Sequence, residues 1–191
     1  LATGPGFLAQ APAGAAAVVL DSLARRGATL RTGARVARIE AHGVVLADGE
    51  RLPFDLFLNA TGLRPSPAVR ALGLPVDAQG ALRLDARLRA VGDPRVHGGG
   101  DAVAVEGQEL PRIGVYAIRQ APVLCRNLLA ALEGGEPASF RPQRRYLWIM
   151  NLGDGTGLAM RGRFWWHGRA AHWLKDRIDR RFLQGYRDRA G

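Results

Sequence analysis

The sequence predicts an α/β fold, because helix-like and strand-like segments alternate along a chain of globular composition. The first observation is a repeat of apolar residues with helical period in AGAAAVVLDSLARRG, followed by several short β-like segments. The second is a long amphipathic segment from about Gly114 to Leu132, which Gly134 and Gly135 end. The third is the content of 47% hydrophobic and 23% charged residues, which suits one sizeable core or two small ones and argues against disorder.

The first part of the chain is expected to contain one helix and a run of short strands. Four apolar side chains share one face of the helix: Ala16, Val19, Leu20 and Leu23. Gly27 stands just after the helix end, where a left-handed glycine is common. The β-like segments that follow are ATLRT, RVARIEA, GVVLA and RLPFDLFLNATG, with a turn at Asp48-Gly49 before the last.

The later part of the chain contains a connection, the long helix, two strands and a final helix. Residues 64–93 are interrupted by Pro and Gly, which is typical of a connection across a domain boundary. The apolar residues expected to be buried on the long helix are Val115, Ile118, Leu124 and Leu128. The segments YLWIMNLG and TGLAMRG, joined by Asp154-Gly155, are strand-like, and a helix is expected from about Trp165 to Tyr186.

The strong positive charge, a formal +10, raises the question of nucleic-acid binding. Lys175 is the single lysine, and an arginine-rich chain of this kind is what a GC-rich coding sequence tends to produce. We therefore interpret the charge as spread over the surface and expect no nucleic-acid partner. A basic nucleic-acid-binding module is the weaker alternative.

Sequence features of a catalytic or metal site are sparse. Cys125 is the single cysteine, so the chain has no internal disulfide and no zinc cluster of several thiolates, and we expect this side chain to be buried on the helix. The histidines are scattered at His42, His97, His167 and His172. No metal site is predicted, and the catalytic residues are unknown. The sequence contains no apolar run of about 18 residues, the length that could span a membrane.

The segment VHGGGDAVA, residues 96–104, is the strongest candidate for a ligand contact. Glycine allows a backbone to approach a ligand closely or to turn through positive φ. An aspartate at the end of such a turn can accept hydrogen bonds from ligand hydroxyls. The pattern favours a cofactor contact in this segment, with an ordinary turn as the alternative.

Three separated segments resemble one enzyme family: NATGLRP (residues 59–65), VHGGGDAVA, and LPRIGVYAIRQAPVLCRNL (residues 110–128). In this order and spacing they are similar to the C-terminal part of FAD-dependent pyridine nucleotide-disulfide oxidoreductases, nearest to the type II NADH dehydrogenase-like branch. The resemblance implies the C-terminal part of a flavoprotein with two dinucleotide-binding domains, followed by a small α+β C-terminal region. Residues 1–62 would be the second half of the NAD(P)H-binding domain, 63–135 would complete the FAD-binding domain, and 136–191 would form the C-terminal region.

The same resemblance implies which residues contact the cofactor. Thr61 and Gly62 would lie near the adenine or pyrophosphate side of FAD. The Gly100 position would admit the cofactor closely, Asp101 would accept a hydrogen bond from a ribityl hydroxyl, and Ala102 would be a further cofactor contact. The helix that opens at Ile113, Gly114 and Val115 would direct its N-terminus at the isoalloxazine ring, where a helix dipole favours negative charge.

The implied activity is hydride transfer from NAD(P)H to FAD, followed by electron transfer to an unidentified acceptor. A quinone acceptor is doubtful, because Arg119-Gln120 stands where the type II branch tends to carry paired glutamines. The chain contains no GxGxxG turn for a pyrophosphate, so we expect it to be a fragment that is inactive alone. A non-catalytic, membrane-associated or partner-binding remnant is the alternative from another class.

The predicted final helix carries an apolar stripe at Trp166, Ala170, Leu174, Ile178 and Phe182. Residues 161–191 hold eight Arg and one Lys against three Asp. A basic amphipathic helix can lie in an anionic membrane interface, but the same stripe is typical of a helix packed within its own fold or against a second copy in a homodimer. The expected location is the cytoplasm, with peripheral contact at the inner face of the cell membrane as the variant that this helix suggests.

Overall fold

A computed structural model of the protein describes residues 6–143 and 145–190. The helices are α1 (Ala13–Arg25), α2 (Pro67–Arg70), α3 (Gly114–Glu133) and α4 (Arg169–Ala190). The strands are β1 (Val36–Glu40), β2 (Gly43–Leu46), β3 (Arg51–Pro53), β4 (Leu82–Leu84), β5 (Arg89–Ala90), β6 (Asp93–His97), β7 (Val103–Val105), β8 (Trp148–Asn151), β9 (Gly157–Arg161) and β10 (Phe164–Gly168). The mixture of helices and sheets is the α/β class that the sequence predicts.

The chain divides into two units, one formed by both ends of the sequence and one formed by its middle. The outer unit is Leu1–Leu58 together with Arg145–Gly191, and the central unit is Asn59–Arg144. The three predicted segments, 1–62, 63–135 and 136–191, assign parts of the chain to cofactor domains, and that assignment stays a prediction.

The outer unit contains two antiparallel sheets, β1-β2-β3 and β8-β9-β10. The predicted strands RVARIEA and GVVLA form as β1 and β2, and Gly49 turns at φ +91° before β3. ATLRT forms no strand, and RLPFDLFLNATG contributes only its first three residues to β3. Residues 54–58 have no ladder partner among the described strands, and Leu56 and Leu58 are 77% and 80% exposed. The β propensity of residues 54–58 does not produce a strand here, because no described strand pairs with them.

Helix α1 has the predicted bounds, but only part of the predicted face is buried: Val19 is buried and Leu23 packs against the core. Its buried residues are Ala15, Val19 and Ser22, whereas Leu20 is exposed. Ala15 and Val19 pack with Leu158 of β9 and with other apolar residues in one core cluster. Gly27 has φ +72°, as predicted for the position after the helix end.

The predicted final helix begins four residues too early. Phe164–Gly168 form β10, in which Trp166 pairs with Ala159 of β9, and α4 begins only at Arg169. Aromatic residues favour a strand when a partner is available, and the hairpin from β9 provides one. Trp166 therefore does not belong to the α4 stripe, while Ala171 is fully buried in a cluster against which Leu174 packs.

The central unit is a four-stranded sheet with α3 beside it. The strand order is β6-β5-β4-β7, in which β4 and β7 are parallel and the other pairs are antiparallel. The stretch 64–93, predicted as a connection, therefore supplies β4 and β5 to this sheet.

Helix α3 matches its predicted bounds and ends at Gly134, which has φ +77°. Its buried residues are Tyr116, Gln120 and Asn127. The predicted apolar stripe is wrong for Ile118 and Leu128, which are exposed, and Cys125 is exposed as well. In this helix, polar side chains occupy the buried face because they hydrogen-bond to neighbouring loops.

Candidate functional site

The glycine run after β6 is required partly by the fold itself. Gly100 has φ +75°, a backbone conformation that strongly favours glycine, and begins the short 3₁₀ turn Gly100–Ala102. A side chain at Gly98 would place its Cβ 2.9 Å from Cγ1 of Val103. Gly99 is extended and has only ordinary contacts. Two of the three glycines therefore shape the turn that presents Asp101.

Two polar contacts hold this turn. The backbone N–H of Gly100 donates a hydrogen bond to Oε1 of Gln120 at 2.6 Å, and Gln120 is only 3% exposed. The Nε of Arg112 donates to the backbone oxygen of Asp101 at 3.1 Å. Among the described residues, the Asp101 carboxylate forms no ion pair or hydrogen bond, so its oxygens are available as acceptors.

The turn lies on a cleft of about 740 Å³ within the central unit. The polar side chains around it include Asp77, Gln79, Asp101, Gln108, Arg112 and Gln120. Of the predicted site residues, Gly62, Gly100 and Asp101 line this cleft. Thr61, Ala102, Ile113, Gly114 and Val115 do not themselves line it; all but Gly114 are adjacent in the chain to a lining residue.

The N-terminus of α3 is positioned beside the cleft and lacks a side-chain cap. Ile113 is the N-cap residue and gives no side-chain hydrogen bond to the first turn. The flanking residues Arg112 and Tyr116 line the cleft. A helix start without such a cap leaves backbone N–H groups and a partial positive charge available for an anionic group.

The predicted contact at Thr61 and Gly62 is a turn on another wall of the cleft. Thr61 donates from its backbone N–H and from its hydroxyl to Oδ1 of Asn59, at 3.2 and 2.8 Å. Gly62 has φ +111° and lines the cleft. The Asn59 side chain thus fixes the bend that brings the Gly62 backbone to the cleft.

Four side chains of the cleft were missed by the sequence reasoning. Oε1 of Gln108 is buried and has no hydrogen-bond donor within the described residues. Arg112 reaches the 77–79 turn, where it hydrogen-bonds to Gln79 and lies 3.8 Å from Oδ2 of Asp77. Asp77, Gln79 and Gln108 lie in loops without a recognisable motif, and Arg112 lies in the third family-like segment but was not singled out there, so only the three-dimensional structure brings the four together.

Two arginine–aspartate ion pairs lie in or next to the strands that precede the glycine turn. Arg95 hydrogen-bonds to Asp93 in β6 and lowers the pKa of that carboxyl from 3.8 to about 2. Burial opposes the ionisation of Asp85, but hydrogen bonds from Arg89 and Arg87 outweigh it, so the pKa of Asp85 lies below its ordinary value. Both carboxylates are therefore ionised at neutral pH.

The cleft suits a ligand that is anionic and rich in hydroxyl groups. Asp101 and Gln108 offer unpaired acceptors to hydroxyl donors, Gly62 and Gly100 allow close approach, and α3 presents its N-terminus. Within the described residues, no group of His, Cys, Asp and Glu could hold a metal ion. The arrangement is compatible with a dinucleotide cofactor such as FAD.

Comparison with known proteins identifies the family. Residues 1–121 match the model of the pyridine nucleotide-disulphide oxidoreductase family, and the chain belongs to that family. The demethylphylloquinone reductase NdbB of Synechocystis sp. is 30% identical over 152 residues, which cover 74% of this chain and 38% of that protein. An NADH dehydrogenase-like protein of Mycobacterium tuberculosis is 34% identical over 87 residues, 46% of this chain and 22% of that protein.

Solved structures agree with this assignment. An FAD-dependent pyridine nucleotide-disulphide oxidoreductase from Desulfovibrio vulgaris matches 83% of this chain and 41% of its own with a TM-score of 0.64 and 25% identity. These findings confirm the predicted family, the fold class of a flavoprotein with two dinucleotide-binding domains, and the cofactor pair FAD and NAD(P)H. The chain spans less than half the length of these relatives.

Proposed function

We propose that this chain forms part of an FAD-dependent NAD(P)H oxidoreductase that transfers hydride from NAD(P)H to FAD and then passes electrons to an acceptor. The observation that supports this most directly is the Gly100–Ala102 turn, which presents the unpaired Asp101 carboxylate on the cleft. When bound, FAD supplies the hydride and electron chemistry, and the protein supplies position and electrostatics.

Three parts of the central unit have distinct roles in this proposal. Asp101 accepts a hydrogen bond from a cofactor hydroxyl, which would otherwise lose its water partners on burial without compensation. Gly100 and Gly62 let the backbone approach the cofactor. The N-terminus of α3, formed by Ile113, Gly114 and Val115, stabilises negative charge on the reduced ring system.

We propose a quinone as the electron acceptor. The sequence argued against it, because Arg119-Gln120 replaces the paired glutamines, and Oε1 of Gln120 is already used by Gly100. The printed activity of the Synechocystis relative, demethylphylloquinone reductase, favours a quinone. The relative matches over 74% of this chain, so we give its activity more weight than the one departure in the motif.

We also propose that the chain acts within a longer polypeptide and is inactive alone. The match covers only 38% of the Synechocystis relative, and the sequence lacks the glycine turn that binds a pyrophosphate.

Helix α4 supports peripheral membrane contact as a second proposal. Trp173 is 61% exposed, Leu183 is exposed, and the Arg177 guanidinium lies 5.5 Å from the centre of the Trp173 ring. An exposed tryptophan beside arginines is suited to the interface of an anionic membrane. No helix of the described residues is long and apolar enough to cross a bilayer. A location at the inner face of the cytoplasmic membrane follows from this proposal, and a homodimer contact through the same face is the alternative.

Spectroscopy of two purified proteins tests the proposed function. The isolated chain should be colourless after gel filtration, because it lacks the pyrophosphate turn. The complete protein that contains these residues should carry flavin, and NADH or NADPH should bleach the flavin absorption without oxygen present. A complete protein without flavin would contradict the proposal, and a yellow isolated chain would contradict the dependence on further sequence.

A further inference from the structure

We propose that Gln120 is the positioning residue of the cofactor turn: its buried amide oxygen fixes Gly100 and thereby determines where the Asp101 carboxylate stands on the cleft. This inference rests on the proposed function, since it assigns Gln120 a role toward the cofactor that Asp101 binds. Asp101 makes the contact, and Gln120 acts through it.

The geometry of the contact is well defined. The donor is the backbone N–H of Gly100, so the Gln120 amide must present its oxygen, Oε1, at 2.6 Å. This choice fixes the orientation of the amide. The side chain is 3% exposed, so water cannot readily replace it as the acceptor for this N–H group.

The position of Gln120 on α3 explains why this contact controls the turn. Gln120 lies two turns into α3, and the side chain reaches from the helix to the first residue of the 3₁₀ turn. Gly100 has φ +75°, so its peptide could rotate over a wide range if the N–H group were released. Because Asp101 follows directly, rotation at Gly100 would redirect its carboxylate.

The second contact of the turn, from Arg112, does not reach the side chain of Asp101. Arg112 donates only to the backbone oxygen of Asp101. Among the described residues, no donor contacts the Asp101 carboxylate itself. The direction of this carboxylate is therefore set by the backbone of the turn, which Gln120 and Arg112 hold.

Four variants separate this role from simple packing. Gln120→Met keeps a similar volume and removes the acceptor, whereas Gln120→Glu keeps an acceptor of the same length. Gln120→Asn shortens the side chain by one methylene, and it replaces Gln120→Met as the test variant if the latter does not fold. Arg119→Met, at the exposed neighbouring position, is the matched control.

The first measurement is amide hydrogen exchange of the isolated chain by NMR. We expect Gly100 exchange to become about ten-fold faster in Gln120→Met and Gln120→Asn, because its N–H group loses its acceptor. Gln120→Glu should restore the slow exchange, and Arg119→Met should leave it unchanged. Unchanged Gly100 exchange in both Gln120→Met and Gln120→Asn would overturn the inference.

The second measurement is the dissociation constant for FAD of the complete protein. We expect it to rise about ten-fold in Gln120→Met or Gln120→Asn, with recovery in Gln120→Glu. An unchanged dissociation constant together with a lower melting temperature would show that Gln120 only packs. That result would overturn this inference and leave the proposed function standing. If the unmodified protein binds no FAD, the proposed function fails and this role fails with it.

Discussion

Asp101 and Gly100 show how one backbone angle prepares a functional side chain. Gly100 needs positive φ, and its N–H group is held by Gln120, so Asp101 is presented on the cleft without an ion-pair partner among the described residues. A carboxylate kept free in this way retains its capacity to bind a ligand donor. The residue scale is where the family resemblance and the geometry agree most closely.

Replacing Asp101 with Ala should weaken FAD binding in the complete protein. Loss of one hydrogen bond to a charged acceptor should cost about 1.5–3 kcal/mol, or roughly ten- to more than one hundred-fold in the dissociation constant. Titration followed by flavin fluorescence measures this change. Asp101→Asn, which keeps an acceptor oxygen, should lose less. Equal affinity in the Ala variant and the unmodified protein would mean that the Asp101 carboxylate makes no contact with FAD.

The Asp93–Arg95 pair predicts a pH-dependent stability. The pKa of Asp93 is about 2 in the folded protein and 3.8 ordinarily, so the pair stabilises the fold above about pH 4 and loses this effect as pH falls towards 2. Melting temperatures of the unmodified protein and Asp93→Asn, measured across this range, should converge at low pH. A constant difference between the two proteins from pH 6 to pH 2 would contradict this assignment. Because Asp93 and Arg95 are solvent-accessible, the difference should be small.

At the scale of elements, sequence patterns located the three long helices and five of the ten described strands but mispredicted which faces are buried. Helix α3 has the expected bounds because its glycine stop is local in sequence, whereas Gln120 and Asn127 are buried because loops distant in the chain bond to them. Trp165 and Trp166 were assigned to a helix by their period, but pairing with β9 made them a strand. Tertiary partners, which no local pattern contains, decided both cases.

Asn127 is the strongest test of how α3 is attached to the sheet. Its side chain is 1% exposed, donates to the backbone oxygens of Arg87 and Ala138, and accepts from the N–H of Ala138. Asn127→Ala should lower the free energy of unfolding by about 2–3 kcal/mol, because buried backbone groups lose their partners. Denaturant titration checks this. Asn151→Ala, at the exposed last residue of β8, should cost about 1 kcal/mol or less, and an equal loss in both variants would contradict the proposed attachment.

Helix α4 gives the test that distinguishes membrane contact from internal packing. If Trp173 enters a membrane interface, Trp173→Ser should reduce binding to liposomes that contain anionic lipid, with little change in melting temperature, because the ring is exposed in the protein. Cosedimentation at low and high salt measures the binding, which salt should weaken. Phe164→Ser, an exposed aromatic position on β10, is the control. Absence of liposome binding at low salt, or unfolding of Trp173→Ser, would favour internal packing or a homodimer.

At the scale of the whole molecule, the predicted motifs converge on the central unit. Gly62 is far from Gly100 and Asp101 in the sequence, yet all three line one cleft. The sequence identified them through the order of three family-like segments. Gln108 could not be found that way, because it lies outside those segments and reaches the cleft only through the folding of its loop. Arg112 lies inside the third segment, but no local pattern indicates that it contacts Gln79. The division into two units also differs from chain order, since residues 145–191 join residues 1–58.

The most direct test of the central claim is hydrogen exchange of the complete protein, followed by mass spectrometry with and without FAD. The claim is that FAD occupies the cleft of the central unit, with the turn after β6 and the start of α3 as its contacts. FAD should therefore slow exchange in the peptides that cover residues 97–120 and leave residues 148–168, which contain β8 to β10, unchanged. Bound FAD without protection of residues 97–120 would contradict the account.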